Sequence, residues 1–397
     1  MKKIAVIIIF LLIPFFVPAG DTTFFDSVKI AFGGAKVKPI EIISRNMPAW
    51  TNDDCGGKTP AVFANNSNYE DKWRACGRAS EKKPVWLAYD LSGVPEKKRS
   101  DVLLVWYNED TSPYDHTLIT AISNPGYNNP GNYCIELNSA PGGKAPDSGW
   151  VRFVTMNDNT LHSGQHRLLM KGYNWIRFVA LKSDGSKGND GIAVNMDVYD
   201  SSKGTADNWL FIGDSITQMS MNHFAFENPA GRGTFAELIN GREERYFPIQ
   251  ENGGTGYMTS VDGAKNIGSW LTVFPGKYVA ISYGTNDAWN NMAPEEFYRN
   301  YEIMVQTVIK YGKVPLVPRS IPWSTSQEKI QVHGALLDAQ LKRLFKKYPA
   351  IIKGPDFREY YRNNPEMLSK DGVHPSWPDG LFMYRKLWAE AALKEVY

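Results

Sequence analysis

The sequence predicts two folded units of different class: an all-β sandwich of jelly-roll type over residues 20–205, and an α/β unit with a parallel sheet flanked by helices over residues 206–397. Three observations carry that reading. From about residue 40 to 203, short runs rich in Val, Ile, Trp, Tyr and Phe alternate with loops rich in Gly, Asn and Pro, and no helical period appears. After the polar stretch 201–207 the texture changes to apolar strands separated by amphipathic helices. The length of 397 residues is enough for two hydrophobic cores.

In the first unit, segments 84–89, 101–107, 133–137, 150–154, 174–180 and 191–199 read as strands, and the compositions of 124–132 and 184–191 read as loops. Many short strands at this spacing favour a sandwich. In the second unit, 209–212 is an apolar strand running into Gly213, 234–239 a helix and 246–249 a strand. Segment 278–283 is a buried strand. Residues 294–310 form a helix with Phe297, Tyr301, Met304, Val305 and Val308 on one face. Pro294 suits its first turn, and Glu295 and Glu296 suit its positive end. A short strand at 314–317, a long helix at 327–348, a last strand at 351–352 and a terminal helix at 381–396 complete the unit. Strands separated by helices imply a parallel sheet covered on both faces.

The first residues read as an export signal. Lys2 and Lys3 precede an apolar stretch from 4 to 17, and Val17-Pro18-Ala19 suits cleavage after Ala19, leaving 1–19 as the leader. The run is short for a bilayer span, with an uncleaved anchor as the alternative. The expected location is therefore periplasmic or extracellular, with no membrane insertion once the leader is removed. In such a compartment Cys55 and Cys76 can pair, which leaves Cys134 as a buried thiol. No His/Cys cluster suggests a metal. A net charge of +2 gives no basis for a nucleic-acid partner. The 12 Trp, 20 Tyr and 19 Phe fit an aromatic β core and also sugar-stacking platforms.

Three short segments carry chemistry: Gly213-Asp214-Ser215-Ile216, Gly284-Thr285-Asn286-Asp287 and Asp371-Gly372-Val373-His374-Pro375. All three are read as falling where parallel strands end, which is where such sheets place their sites. A serine hydroxyl is a poor nucleophile until a base takes its proton. His374 is the histidine set beside a carboxylate in a motif, with Asp371 three residues earlier. Asp371 can orient the imidazole and steady the imidazolium, and Asn286 can donate to a developing oxyanion. Read one at a time, each segment is also an ordinary helix cap or turn. His116, His162, His166, His223 and His333 have no such surroundings; His333 falls on a helix as a surface or packing residue.

These segments resemble the blocks of the SGNH hydrolase superfamily, the GDSL-type esterases, over about residues 208–397. The resemblance implies a flavodoxin-like α/β fold, Ser215 as nucleophile, His374 as base and Asp371 as its partner, without a cofactor. It implies an oxyanion hole of the Ser215 N–H, Asn286 and a glycine of Asn252-Gly253-Gly254-Thr255-Gly256. Gly253 is the favoured glycine, with Gly254 as the alternative. The layout also resembles two-domain carbohydrate O-acetylesterases that carry an N-terminal sandwich. Trp289, Trp323 and Trp377 flank the motifs as candidate substrate contacts. The expectation is an exported esterase acting on an acetylated glycan. The alternatives are a lipase or lysophospholipase, a glycan O-acetyltransferase and a non-catalytic glycan-binding protein.

Overall fold

A computed structural model of the chain describes residues 37–69, 71–108, 128–159, 161–184, 191–221 and 233–397. The expected leader, His116, His223 and parts of the loops 124–132 and 184–191 lie outside the described residues.

The first unit holds β1 (Glu41–Ile42), β2 (Ala49–Thr51), β3 (Trp73–Ala75), β4 (Val85–Asp90), β5 (Asp101–Asn108), β6 (Pro130–Asn138), β7 (Val151–Met156), β8 (Ser163–Leu169), β9 (Trp175–Ser183) and β10 (Ile192–Asp200), with one short helix, α1 (Glu96–Arg99). They form two antiparallel sheets, β1-β10-β5-β8 with β3 on β10, and β2-β4-β9-β6-β7. Alternate residues supply the core between them. Leu87, Tyr89, Ile135 and Phe178 of one sheet meet Leu104, Trp106, Val194 and Met196 of the other. The sandwich expected from the sequence is what forms. Cys55 and Cys76 are joined by a disulfide, and Cys134 is a buried free thiol.

The second unit is a parallel sheet of β11 (Asn208–Gly213), β12 (Ile249–Gly254), β13 (Tyr278–Ser282), β14 (Val314–Val317) and β15 (Ile352–Lys353), in the order β12-β11-β13-β14-β15. Its helices are α2 (Ser215–Ser220), α3 (Phe235–Asn240), α4 (Ser260–Val273), α5 (Thr285–Trp289), α6 (Pro294–Lys310), α7 (Glu328–Lys347), α8 (Phe357–Asn363) and α9 (Asp379–Glu395). Successive residues of β11 feed two cores. Leu210 and Ile212 pack with Trp270, Phe297, Val305 and Leu337 of α4, α6 and α7. Trp209 and Phe211 pack with Phe235, Tyr384 and Trp388 of α3 and α9. The apolar face read on 294–310 is buried as expected. Because the chain goes from interior β11 outward to edge strand β12 and then back past β11 to β13, the topological switch lies between β11 and β13.

The two units share an interface that the sequence conceals. Strand β5 has its odd residues Leu103, Val105 and Tyr107 buried as completely as its even ones, and they pack with Ile40, Tyr199 and Ile249 of β12. Beside this apolar patch, Ser163 Oγ and Gln165 Nε2 of β8 donate to the two oxygens of Glu251 at 2.8 and 2.7 Å. Asn208 Nδ2 donates to Gln165 Oε1 at 2.6 Å. Burial pushes the Glu251 carboxyl up to about 7 in spite of its two donors. Burial does the same to Asp207, to about 7, although Tyr397 donates to it at 2.6 Å. Asp214 and Asp287 are raised for the same reason, to about 7 and about 6.

A carboxyl whose folded pKa exceeds its unfolded one binds its proton more tightly in the native state. Its contribution is complete below the ordinary carboxyl range, near pH 4, and is lost as pH rises toward about 7. His166 works in the opposite direction, since burial lowers it to about 4, but it is one imidazole against four carboxyls. The thermal midpoint is therefore expected to fall by several degrees between about pH 5 and pH 8, and Glu251→Gln to shrink that difference. A midpoint that rises over this interval in the wild-type protein would contradict the assignment.

Candidate active site

The turn that carries Ser215 is built by close packing. A Cβ on Gly213 would lie 2.5 Å from Ser282 O and 2.2 Å from Thr217 Oγ1, so glycine ends β11 where it must pass β13 and α2. Asp214 then caps α2, its Oδ1 accepting the Ile216 N–H at 3.0 Å. Ser215 becomes the first helical residue, whose N–H has no acceptor within its own helix. Beneath it, the Tyr384 hydroxyl donates to Ser282 Oγ at 2.9 Å and bonds Thr217 Oγ1 at 3.0 Å. These contacts tie α2 to β13 and α9.

Ser215 Oγ lies 2.8 Å from His374 Nε2, and His374 Nδ1 lies 2.7 Å from Asp371 Oδ2. The other oxygen of Asp371 accepts the Val373 and His374 backbone N–H groups at 2.8 and 3.0 Å and the Ser369 hydroxyl at 2.7 Å. Partial burial would raise the Asp371 pKa. The bonds from Ser369, His374 and the two amides outweigh it and hold the carboxyl well below the usual range. Gly372 takes φ +68°, which allows the loop to fold back so that Asp371 and His374 present side chains together. The carbonyl of Gly372 is held by Ser324 Oγ at 2.7 Å.

Asn286 opens α5 after β13, one strand from Ser215. Its Nδ2 donates one hydrogen to Met258 O at 2.9 Å, which leaves its second N–H for another acceptor. Asp287 accepts from Ser260 N at 3.0 Å and Ser260 Oγ at 2.5 Å, and so locks the start of α4 against α5. Asp214 thus binds backbone in its own turn, and Asp287 binds the backbone and hydroxyl of Ser260 at the start of α4. Among the described residues no group of three or more His, Cys, Asp or Glu is placed to hold a metal ion.

Gly253 is not placed as expected. The sequence places a strand at 246–249 and the resemblance favours Gly253, but β12 runs on from Ile249 through Gly254, with Gly253 opposite Ile212 and Gly254 opposite Gly213. A Cβ on Gly253 would face the Ile212 and Leu210 side chains at 3.1 and 3.3 Å, within the sheet. The Gly254 N–H is occupied by Asn252 Oδ1 at 3.0 Å, and the Thr255 N–H by Gly213 O at 3.0 Å. The turn comes at 255–258, and Gly256 is the glycine beside the serine: a Cβ there would be 4.0 Å from Ser215 Cβ. Of the three tryptophans, Trp289 and Trp377 are exposed, whereas Trp323 is half-buried against the core, with Arg358 over its ring.

Residues 211–377 match the model of the GDSL-like Lipase/Acylhydrolase family. The C-terminal unit is a GDSL-like hydrolase domain. Solved structures similar to the chain include a lipase/acylhydrolase from Enterococcus faecalis, 19% identical over 48% of this chain and 97% of that one, with a TM-score of 0.40. A variant of an acetyl xylan esterase from Geobacillus stearothermophilus is 20% identical over 49% of this chain and 95% of its own, with a TM-score of 0.37. The first unit is similar to a chitosan-binding module from a chitosanase/glucanase of Paenibacillus sp. IK-5, 14% identical over 40% of this chain and 98% of that one, with a TM-score of 0.28. No curated protein sequence matches the chain.

In the GDSL-like domain, the contacts that set the loops were the part sequence reasoning missed. Tyr384 and Asn252 lie far from the serine in the chain, and only the fold brings them onto α2, at Thr217 Oγ1 and Gln218 O. Gly256 and Tyr257 lie within or next to the motif already singled out, but no local signal marks them, because the place of the turn depends on where β12 ends. The unbroken series Ser215–His374–Asp371, at the end of a parallel strand, can move a proton from the hydroxyl to the imidazole while the carboxylate compensates the new charge.

Proposed function

We propose that this protein is an exported serine esterase that removes O-acetyl groups from a polysaccharide or cell-envelope glycan through an acyl-enzyme on Ser215. The observation that carries the reading is the hydrogen-bonded series from Ser215 Oγ through His374 to Asp371. With Nδ1–H donated to Asp371, Nε2 accepts the hydroxyl proton as Oγ attacks the acetyl carbonyl. The oxygen that becomes negative is served by the Ser215 and Gly256 backbone N–H groups and the second N–H of Asn286. Each such donor is worth about 3 kcal/mol in the transition state. His374 then gives the proton to the departing sugar hydroxylate, and the same base activates the water that releases acetate.

The glycan part of the reading is supported by the exposed Trp289 and Trp377 beside the site and by the sandwich packed against the GDSL-like domain. The test is acetate release from acetylated xylan, glucomannan, alginate and peptidoglycan, set against p-nitrophenyl esters of two to eight carbons. Acetate released from at least one glycan, with preference for the shortest acyl group, is the expected result. Hydrolysis confined to long acyl esters would replace this reading with a lipase, and acetyl transferred to a second sugar instead of water would make the protein a transferase.

A further inference from the structure

Tyr257 is the most exposed large hydrophobic residue among the described residues. Its ring is 90% exposed and packs into no core. Its backbone has φ +67°, a region that glycine enters freely and aromatic residues rarely do. The preceding positions 253, 254 and 256 of the same segment are glycines, so the chain places a large aromatic side chain where glycine would be the relaxed choice. A strained residue that contributes nothing to packing points to a role outside the fold.

Its neighbours say where that role lies. Gly256, on one side, sits against Ser215. Met258, on the other, is buried, and its carbonyl accepts the Asn286 amide at 2.9 Å. The turn is closed by Met258 N donating to Thr255 O at 3.4 Å and anchored to the nucleophile strand by Thr255 N donating to Gly213 O at 3.0 Å. Tyr257 therefore stands on a pinned turn between two candidate oxyanion donors, with its side chain exposed. Trp289, three residues after Asn286, and Trp377, three residues after His374, are also exposed. Each loop that carries a site residue beyond the serine thus also carries one solvent-facing aromatic ring.

We propose that Tyr257 is a specificity-determining residue that stacks on a pyranose ring of the glycan next to the acetylated sugar. The proposal rests on the esterase reading of the same site. A flat ring beside the site matches the apolar C–H face of a pyranose, and a small alkyl acetate such as ethyl acetate offers no ring face for it to stack on. The experiment compares kcat/KM for acetylated xylo-oligosaccharides with kcat/KM for ethyl acetate in the wild-type protein and in Tyr257→Ala, Tyr257→Gly and Tyr257→Phe. The glycan-to-ethyl-acetate ratio is expected to fall about tenfold in the first two variants, through KM, the scale of one ring-stacking contact. Tyr257→Phe is expected to keep the ratio. Tyr257→Gly, which relieves the backbone, guards against a folding artefact of Tyr257→Ala. Equal losses on both substrates, or a loss in Tyr257→Phe as large as in Tyr257→Ala, would overturn the stacking role. Wild-type activity on ethyl acetate with none on any acetylated oligosaccharide would remove this inference and leave the esterase; inactivity on both would remove the reading beneath it.

Discussion

Ser215→Ala is expected to abolish ester hydrolysis, lowering kcat by roughly 10⁴- to 10⁶-fold, while the protein stays folded. The substitution deletes one oxygen, the atom 2.8 Å from His374 Nε2. No other hydroxyl is hydrogen-bonded to that imidazole among the described residues, so acylation has no substitute nucleophile. The fold should not suffer. Ser215 is the first residue of α2, Asp214 provides the cap, and alanine is a good helix former. A stability change below about 1 kcal/mol is expected, because the Tyr384–Thr217–Ser282 contacts that hold α2 are untouched. The measurement is hydrolysis of p-nitrophenyl acetate together with a thermal melt. A variant that melts normally and retains a tenth or more of the wild-type rate would take Ser215 out of the mechanism.

Asp371→Asn is expected to cost less than His374→Ala, about 10²- to 10⁴-fold in kcat against a loss comparable to that of the serine variant. Asparagine can keep its oxygen on the Val373 and His374 amides. It then presents N–H to His374 Nδ1, where Asp371 presents an acceptor at 2.7 Å. The imidazole is driven to the tautomer with a proton on Nε2, which cannot take one from the serine. The loss has an upper limit because the Asp371 side chain is 51% exposed. Water can reach both the ring and the carboxylate, and it moderates the electrostatic part of the effect. Single-turnover rates for the three proteins check the order. A loss in Asp371→Asn equal to that in His374→Ala would show that the carboxylate does more than orient the base.

Much of this site was legible as local sequence. A glycine at the end of β11, a capping aspartate and a serine make the nucleophile turn within four residues. Asp371 and His374 meet within one turn. What could not be read locally was where β12 ends. Asn252-Gly253-Gly254 has low strand propensity, yet it continues the ladder because Phe211, Ile212 and Gly213 pair with it. That shift of the turn moves the serine-side glycine from Gly253 to Gly256 and brings Tyr257 into the turn. Helix α4 was missed for a related reason. Its Gly263 lowers helix propensity, but a Cβ there would meet the Tyr283 ring at 2.6 Å and Met304 Sδ at 2.7 Å. Strand β8 was missed because Ser163-Gly164-Gln165 is polar, and those polar groups serve Glu251 in the other unit.

By itself the chain determined the two fold classes, the apolar faces that build their cores, and the chemical types at the site, since each follows from periodicity or from residues within a few positions of one another. Tertiary structure alone decided that His374 reaches Ser215, that Gly256 is the glycine beside it, and that β5 is apolar on both sides because the second unit covers it. Those relations depend on distances between segments remote in sequence, which burial and strand pairing set and no local pattern encodes.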